Sequence, residues 1–289
     1  NVLKLDIVQR IIRNVCYIGR DKMKKIRMTI LKDYETCPYM CKINWGEEGA
    51  LGKVDKEGSS TNKYAEFGVI FHEVMEQHAL AKMEGTVLPV ETLHELLEDK
   101  LKTFNMELVK DEQEFDVWRT SLHEQIDWGY EKAGLAYFNV IGAEVTFDQI
   151  ELFPGVLPFS GTIDRIVGDL EKKEVALEDW KTGKVYTKKE LSSNIQATVY
   201  SLAFYKQFGF LPEEFRFYFT KHKKVKKIMI TPEFIQKGTE RILLNWYKIH
   251  NGEFNPDTSN KYFCKNFCAV ANECPTQKRV KAEGWEMVK

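Results

Sequence analysis

The sequence predicts an α/β fold, and three observations carry that prediction. Residues 65–137 repeat apolar positions at helical spacing. Three segments after residue 142 have strand composition between Pro, Gly and charged turns. Helical spacing then alternates with short strands up to residue 250. The composition agrees with a packed chain: of 289 residues, 43% are hydrophobic and 29% charged, which excludes wholesale disorder. A chain near this length buries roughly three quarters of its unfolded surface, so its core can be sizeable. No apolar run nears the ~18 residues of a membrane-spanning helix. No secretory apolar stretch stands near the start, so a cytoplasmic setting without a membrane partner is expected. The 42 basic and 43 acidic side chains leave a net charge of −1, so any polyanion site must be built locally.

Taken in order, residues 1–27 carry Lys4, Arg10, Arg13, Arg20, Lys22, Lys24, Lys25 and Arg27 against Asp6 and Asp21. With Val8, Ile11, Ile12 and Val15 at helical spacing, they predict a basic helical extension, whether solvated or touching a polyanion. Residues 52–63 read as a loop. Ala65–Lys82 is a helix with Val69, His72, Met75, Glu76 and Ala79 along one stripe, and 91–137 holds two or more further helices. Strands are expected over Ala143–Leu152, Phe159–Val167 and Val175–Trp180, followed by a helix over Asn194–Gln207. Two further strands, Glu214–Thr220 and Lys227–Ile230, precede a helix over Thr231–His250 with Pro232 in its first turn. The organisation expected is therefore an extension (1–27) and a single domain (28–289). That domain divides into a helical part (61–140), a core carrying the chemistry (141–232) and a C-terminal helix with a cysteine segment (233–289).

The most specific local feature is Gly161-Thr162-Ile163-Asp164-Arg165 followed by Glu178-Asp179-Trp180-Lys181-Thr182-Gly183. A hairpin turning near Glu171–Lys172 sets Asp164 opposite Asp179, with Cβ atoms about 5 Å apart. Lys181 then shares their face, and Trp180 points to the other face, where it can pack. Two adjacent carboxylates repel and so commonly hold a divalent cation, and a nearby ammonium can orient or deprotonate a water on it. That is the equipment for attack of water on a phosphodiester. D-x-K is short, and a surface salt-bridge cluster on a hairpin fits the residues alone equally well.

The cysteines cluster at both ends. Cys37 and Cys41 lie near the start, Cys264, Cys268 and Cys274 form C-x3-C-x5-C near the end, and Cys16 stands apart. This spacing suits a metal centre better than disulfides, and four thiolates accept either zinc or an iron–sulfur cluster. An N-terminal ligand, Cys37 or Cys41, plus a distant trio, rather than two compact pairs, favours a 4Fe–4S cluster clamping the ends together. The basic run Lys221–Lys227 fits phosphate contacts or the blunting of an edge strand.

The D…D-x-K-T-G arrangement resembles the PD-(D/E)XK nucleases, specifically their RecB-like exonuclease branch. Three further features follow in the expected order. Gly68-x-x-x-His72 with Glu73 and Glu76 is similar to the branch's helix motif, and Gln196-x-x-x-Tyr200 to its later helix motif. Cys37 with Cys264, Cys268 and Cys274 resembles the pattern of its iron–sulfur members, the AddB-type and CRISPR-associated exonucleases. The resemblance spans roughly Leu31 to Pro275. It implies a restriction-endonuclease-like core with a helical insertion and a 4Fe–4S cluster joining the termini on those four cysteines. It further implies a Mg²⁺ or Mn²⁺ ion on His72, Asp164, Asp179 and the Trp180 carbonyl, and catalytic roles for Asp164, Asp179, Lys181, Gln196 and Tyr200. Glu144 is expected beside the metal or toward DNA. The function implied is exonucleolytic DNA hydrolysis, on single-stranded ends, in recombination or repair, with a helicase or recombination protein as partner. Trimming DNA for CRISPR spacer capture and a non-catalytic iron–sulfur DNA-binding module are the alternatives. The insertion aromatics Phe104, Phe115, Trp118, Trp128, Tyr130, Tyr137 and Phe138 are expected to roof the cleft and stack unpaired bases.

Overall fold

The two strands that carry the carboxylates bury polar residues on both of their faces, Asp164 next to Arg165 and Glu178 next to Asp179. The computed structural model describes residues 25–45, 63–136, 139–156, 158–266, 268 and 270–276. Its strands are β1 (Ile26–Arg27), β2 (Val140–Ile150), β3 (Phe159–Asp169), β4 (Glu174–Lys181), β5 (Glu214–Phe219) and β6 (Lys224–Met229). The first helices are α1 (Met28–Thr36), α2 (Pro38–Trp45), α3 (Lys63–Met83), α4 (Val90–Leu101) and α5 (Glu112–Ala136). They are followed by α6 (Lys188–Leu191), α7 (Ile195–Phe208), α8 (Pro232–His250) and α9 (Lys261–Asn266). The expected extension over 1–27, with Cys16, falls outside the described residues up to 24, as do the loop at 52–62, Tyr137 and Phe138. No helix among the described residues is long and apolar enough to cross a membrane.

The chain divides into two compact units, Gly58–Phe147 with Gly161–Gly238, and Asn1–Glu57 with Asp148–Ser160 and Thr239–Lys289. In the first unit the strand order is β3-β4-β5-β6, with β2 against β3. The hairpin register is the one expected from the sequence: β3 and β4 pair antiparallel from Arg165 opposite Glu178 to Asp169 opposite Glu174. The turn closes because the Asp169 carboxylate accepts the N–H groups of Glu171 (2.9 Å) and Lys172 (3.0 Å). Gly168, at φ +126°, has no alternative, since a Cβ there would lie 2.0 Å from the Glu174 carbonyl oxygen. β5 joins parallel to β4 after the crossover through α7, and β6 returns antiparallel, so the sheet is mixed. The basic run starts in the turn of the β5–β6 hairpin and continues into β6, the last strand of the order. Lys221 and His222 occupy a short 3₁₀ turn, and Lys224, Lys226 and Lys227 are strand residues. Lysines there blunt an edge.

α3, α4 and α5 pack as a helical layer on one face of β4 and β5. Phe67, Phe71, Val74 and Met75 of α3 meet Leu93, Leu97 and Leu101 of α4, Leu122 and Ile126 of α5, and Trp180 and Tyr218 of the sheet. The α3 core stripe is Phe67, Ile70, Phe71, Val74, Met75, His78 and Ala79; of the stripe expected from the sequence, Met75 and Ala79 belong to it, while Val69, His72 and Glu76 line a cleft. The insertion aromatics also differ from expectation. Phe104, Phe115, Trp118, Trp128 and Tyr130 belong to this core, with Phe67 stacked on Phe104 at 4.3 Å and on Trp118 at 5.1 Å. At helical spacing, packing among themselves removes more apolar surface from water than an open roof would.

In the second unit, Ile26 and Arg27 pair parallel with Phe159 and Ser160. The C-terminal segment is tied to the first helices by specific bonds. Glu35 of α1 accepts from Arg241 and, at 2.9 Å, from Asn245 of α8. Tyr34 donates to the Glu253 carbonyl (2.8 Å) and Tyr39 to the Glu273 carbonyl (3.1 Å). These ties bring Cys37, Met40 and Val270 into one buried cluster, with the half-buried Cys268 packed against it.

Candidate active site

Five elements of the first unit aim side chains at one place: His72 from α3, Glu144 from β2, Asp164 from β3, Asp179 and Lys181 from β4, and Gln196 and Tyr200 from α7. His72 Nδ1 lies 3.4 Å from Asp164 Oδ2 and 3.9 Å from Glu144 Oε1. Asp164 and Asp179 are both buried on the same face, as the hairpin register requires. The ladder opens at Asp164, whose Oδ2 accepts the Trp180 N–H at 2.7 Å. Lys181 forms an ion pair with Asp179, and Gln196 Nε2 donates to the other Asp179 oxygen. Tyr200 is buried, hydrogen-bonded to Gln196 and edge-on to Phe147 at 5.5 Å. Gly161 makes that contact possible, because a Cβ there would come within 2.9 Å of Phe147 and 3.1 Å of Tyr200. Trp180 itself buries its ring in the helical core, on the other face.

Electrostatics follow from the crowding. Burial, then the Asp179 charge, push the Asp164 carboxyl up from its ordinary range. Burial alone would lower His72, but Asp164, Glu144 and Asp179 outweigh it and leave it raised. Burial would likewise lower Lys181, but Asp179 outweighs it, so Lys181 stays an ammonium and acts as a donor.

Glu144 is the residue that sequence reading undervalued. It sits at φ 44°, a left-handed backbone that non-glycine residues adopt at a cost and that clusters at functional sites. That twist accompanies its approach to His72. Among the described residues, only His72, Glu144 and Asp164 bring three candidate ligand atoms within 4.8 Å of one another. One imidazole and two carboxylates suit a divalent cation of the Mg²⁺ or Mn²⁺ class. Beside them is a cleft of about 480 Å³ lined by His72, Glu76, Glu144 and Thr182, with the exposed Tyr64 and Val69.

A family model described as the PD-(D/E)XK nuclease superfamily matches residues 27–275. The chain belongs to that superfamily. No curated protein matches the chain in sequence. Membership in the PD-(D/E)XK superfamily implies a metal-dependent nuclease with DNA as its substrate and Mg²⁺ or Mn²⁺ as its ion. The mixed sheet with flanking helices agrees with the restriction-endonuclease-like fold of that superfamily.

The opposite face of the hairpin holds a second buried charge cluster that the sequence reading missed. Glu178 accepts from Arg165 Nε at 2.5 Å, Arg216 at 2.9 Å and the Tyr218 hydroxyl at 2.8 Å. The Arg165 guanidinium lies 5.2 Å from the Trp180 ring. The signal was present, since a register that pairs Asp164 with Asp179 also pairs Arg165 with Glu178. Nearby, His78 is buried, with no hydrogen-bond partner among the described residues for either ring nitrogen. Burial, with Lys82 and Arg165 beside it, pulls it down to about 4.

In the second unit, Cys37 and Cys274 are buried and Cys264 and Cys268 half-buried. Cys37 Sγ accepts the Asp257 N–H at 3.4 Å. Burial raises the Cys264 and Cys268 thiols, and Cys37 and Cys274 are close enough to raise both further. Cys41 is different: its thiol donates to the Ile30 carbonyl at 3.5 Å, and burial pushes it up to about 12, as for an inert packed thiol.

Proposed function

We propose that this chain is a RecB-like exonuclease that hydrolyses phosphodiester bonds at single-stranded DNA ends. The observation that carries the reading is the convergence of His72, Glu144 and Asp164 beside the paired Asp179 and Lys181. His72, Asp164 and Asp179 would hold the cation, with Glu144 and the Trp180 carbonyl as further oxygen donors. The imidazole nitrogen favours tolerance of Mn²⁺ beside Mg²⁺. When bound, the ion polarises the scissile phosphate and lowers the pKa of the attacking water. The protein's part is orientation. The Trp180 N–H fixes Asp164, Gln196 fixes Asp179, and the Lys181 ammonium orients the water and offsets charge on the phosphate. Tyr200 and Gln196 line the site from α7 and face the DNA strand.

The preference for single strands rests on the resemblance to the RecB-like branch, since the insertion aromatics expected to roof the cleft are packed in the helical core. The four cysteines Cys37, Cys264, Cys268 and Cys274 would hold a 4Fe–4S cluster with a structural role. The shared packing of Cys37, Cys268 and Val270 supports that assignment. Residues 28–289 are taken as one nuclease domain acting in the cytoplasm, in DNA recombination or repair, beside a helicase or recombination protein. End-labelled linear and circular single strands, offered with Mg²⁺ or Mn²⁺, test the reading. Linear strands should shorten from an end and circles should persist; circles digested as fast as linear strands would make the enzyme an endonuclease. Anaerobically purified protein should be brown, with about four iron atoms per chain. Colourless folded protein with stoichiometric zinc would overturn the cluster.

A further inference from the structure

Between α4 and α5, away from His72 and sharing no residue with its site, two histidines face each other in an unusual way. His94 Nε2 lies 2.8 Å from Asp127 Oδ1, and His123 Nε2 lies 2.6 Å from Glu98 Oε1. A carboxylate only accepts, so each Nε2 carries the ring proton. The remaining ring nitrogens, both Nδ1, then present lone pairs, and they lie 2.6 Å from one another. Two lone pairs at that distance require a positive charge between them. Glu98 is itself fixed by Arg119, through Nε at 2.8 Å and a terminal nitrogen at 2.7 Å, so the His123 end of the chain of partners is anchored.

We propose that His94 and His123 form a second cation site, for a d-block divalent ion such as Zn²⁺, which cross-links α4 to α5. A carboxylate on the far nitrogen is the usual support of a metal-bound imidazole, because it fixes the tautomer and raises the basicity of the ligating nitrogen. Here both rings have it. A tetrahedral Zn²⁺ with Zn–N bonds of about 2.0–2.1 Å needs its two nitrogens about 3.3 Å apart, so the rings open by less than about 1 Å. Both histidine side chains are accessible, at 25% and 31%, which leaves a path for the ion and positions for water to complete its shell. Binding raises stability because the ion holds two helices of the folded layer together and finds no such pair in the unfolded chain.

The test is Zn²⁺ titration of protein that keeps its cysteine-bound cluster and has been dialysed free of other divalent ions, comparing wild type with His94→Gln, His123→Gln and the double variant. The cysteines and His72 are common to all four proteins, so the difference isolates the pair. Each single variant should bind one Zn²⁺ fewer than wild type, and the double variant should lose no more than either single. In wild type labelled with ¹⁵N-histidine, Zn²⁺ should shift both Nδ1 resonances, a reading that needs no variant to fold. Equal Zn²⁺ content in all four proteins, or unmoved Nδ1 resonances, would overturn the site. A loss of melting temperature on either substitution with unchanged Zn²⁺ content would likewise overturn it, and would assign the space between the rings to a shared proton.

Discussion

Glu178 and Asp179 are consecutive residues of β4, with exposures of 0% and 2%, yet their surroundings are opposite. Strand alternation sends Glu178 to the helical face, where Arg165, Arg216 and Tyr218 saturate it. Asp179 goes to the other face, beside Asp164 and the acid-lined cleft, with Lys181 and Gln196 as partners. One carboxylate is neutralised by the fold, and the other is left within a concentration of negative charge that a cation would relieve. Crowded acids of the second kind mark a working site, while the first kind fixes the register that assembles it.

That contrast can be broken most severely on the helical face. Glu178→Ala leaves Arg165 buried without its counter-ion and Arg216 with Glu214 alone, and should cost about 3–5 kcal/mol, read as a drop in the denaturation midpoint. A change within the noise of the midpoint would mean that solvent reaches the cluster. His78 tests the same face through pH. Its folded value is near 4 against an ordinary 6.5, so between those values the unfolded chain takes up a proton that the folded chain refuses. Stability should fall as pH drops from about 6.5 to about 4, by up to about 3 kcal/mol, and level off below. His78→Leu should remove that part of the acid loss; an unchanged pH profile would show that His78 is protonated in place. On the site face, Gly161→Ala forces Phe147 or Tyr200 aside. It should cost about 1–3 kcal/mol and reduce cleavage as Tyr200 moves, with KM and kcat measured separately.

The hairpin was legible because period-two geometry and the spacing of its charges fix one register. The α7 start was legible because Asn194 caps it, accepting the Ala197 N–H at 2.9 Å. What was not legible depends on partners distant in sequence. Arg216 completes the Glu178 cluster from β5, which enters parallel to β4 only after the α7 crossover. The left-handed backbone at Glu144 leaves no compositional trace, so its approach to His72 appears only in the fold. Helical periodicity likewise could not say which stripe of α3 faces the core, because the exposed Val69 fits an apolar face as well as Phe67 and Phe71. Aromatic content in the insertion signalled mass to be buried and carried no direction.

Asp164→Asn tests the central claim most directly. The amide keeps the bond from the Trp180 N–H and removes a charge that burial and Asp179 disfavour, so at neutral pH the variant should be more stable, by about 1 kcal/mol. DNA cleavage with Mg²⁺ or Mn²⁺ should disappear in the same preparation. Stability gained with cleavage lost is the expected result; cleavage at the wild-type rate would contradict the assignment of this face as the active site.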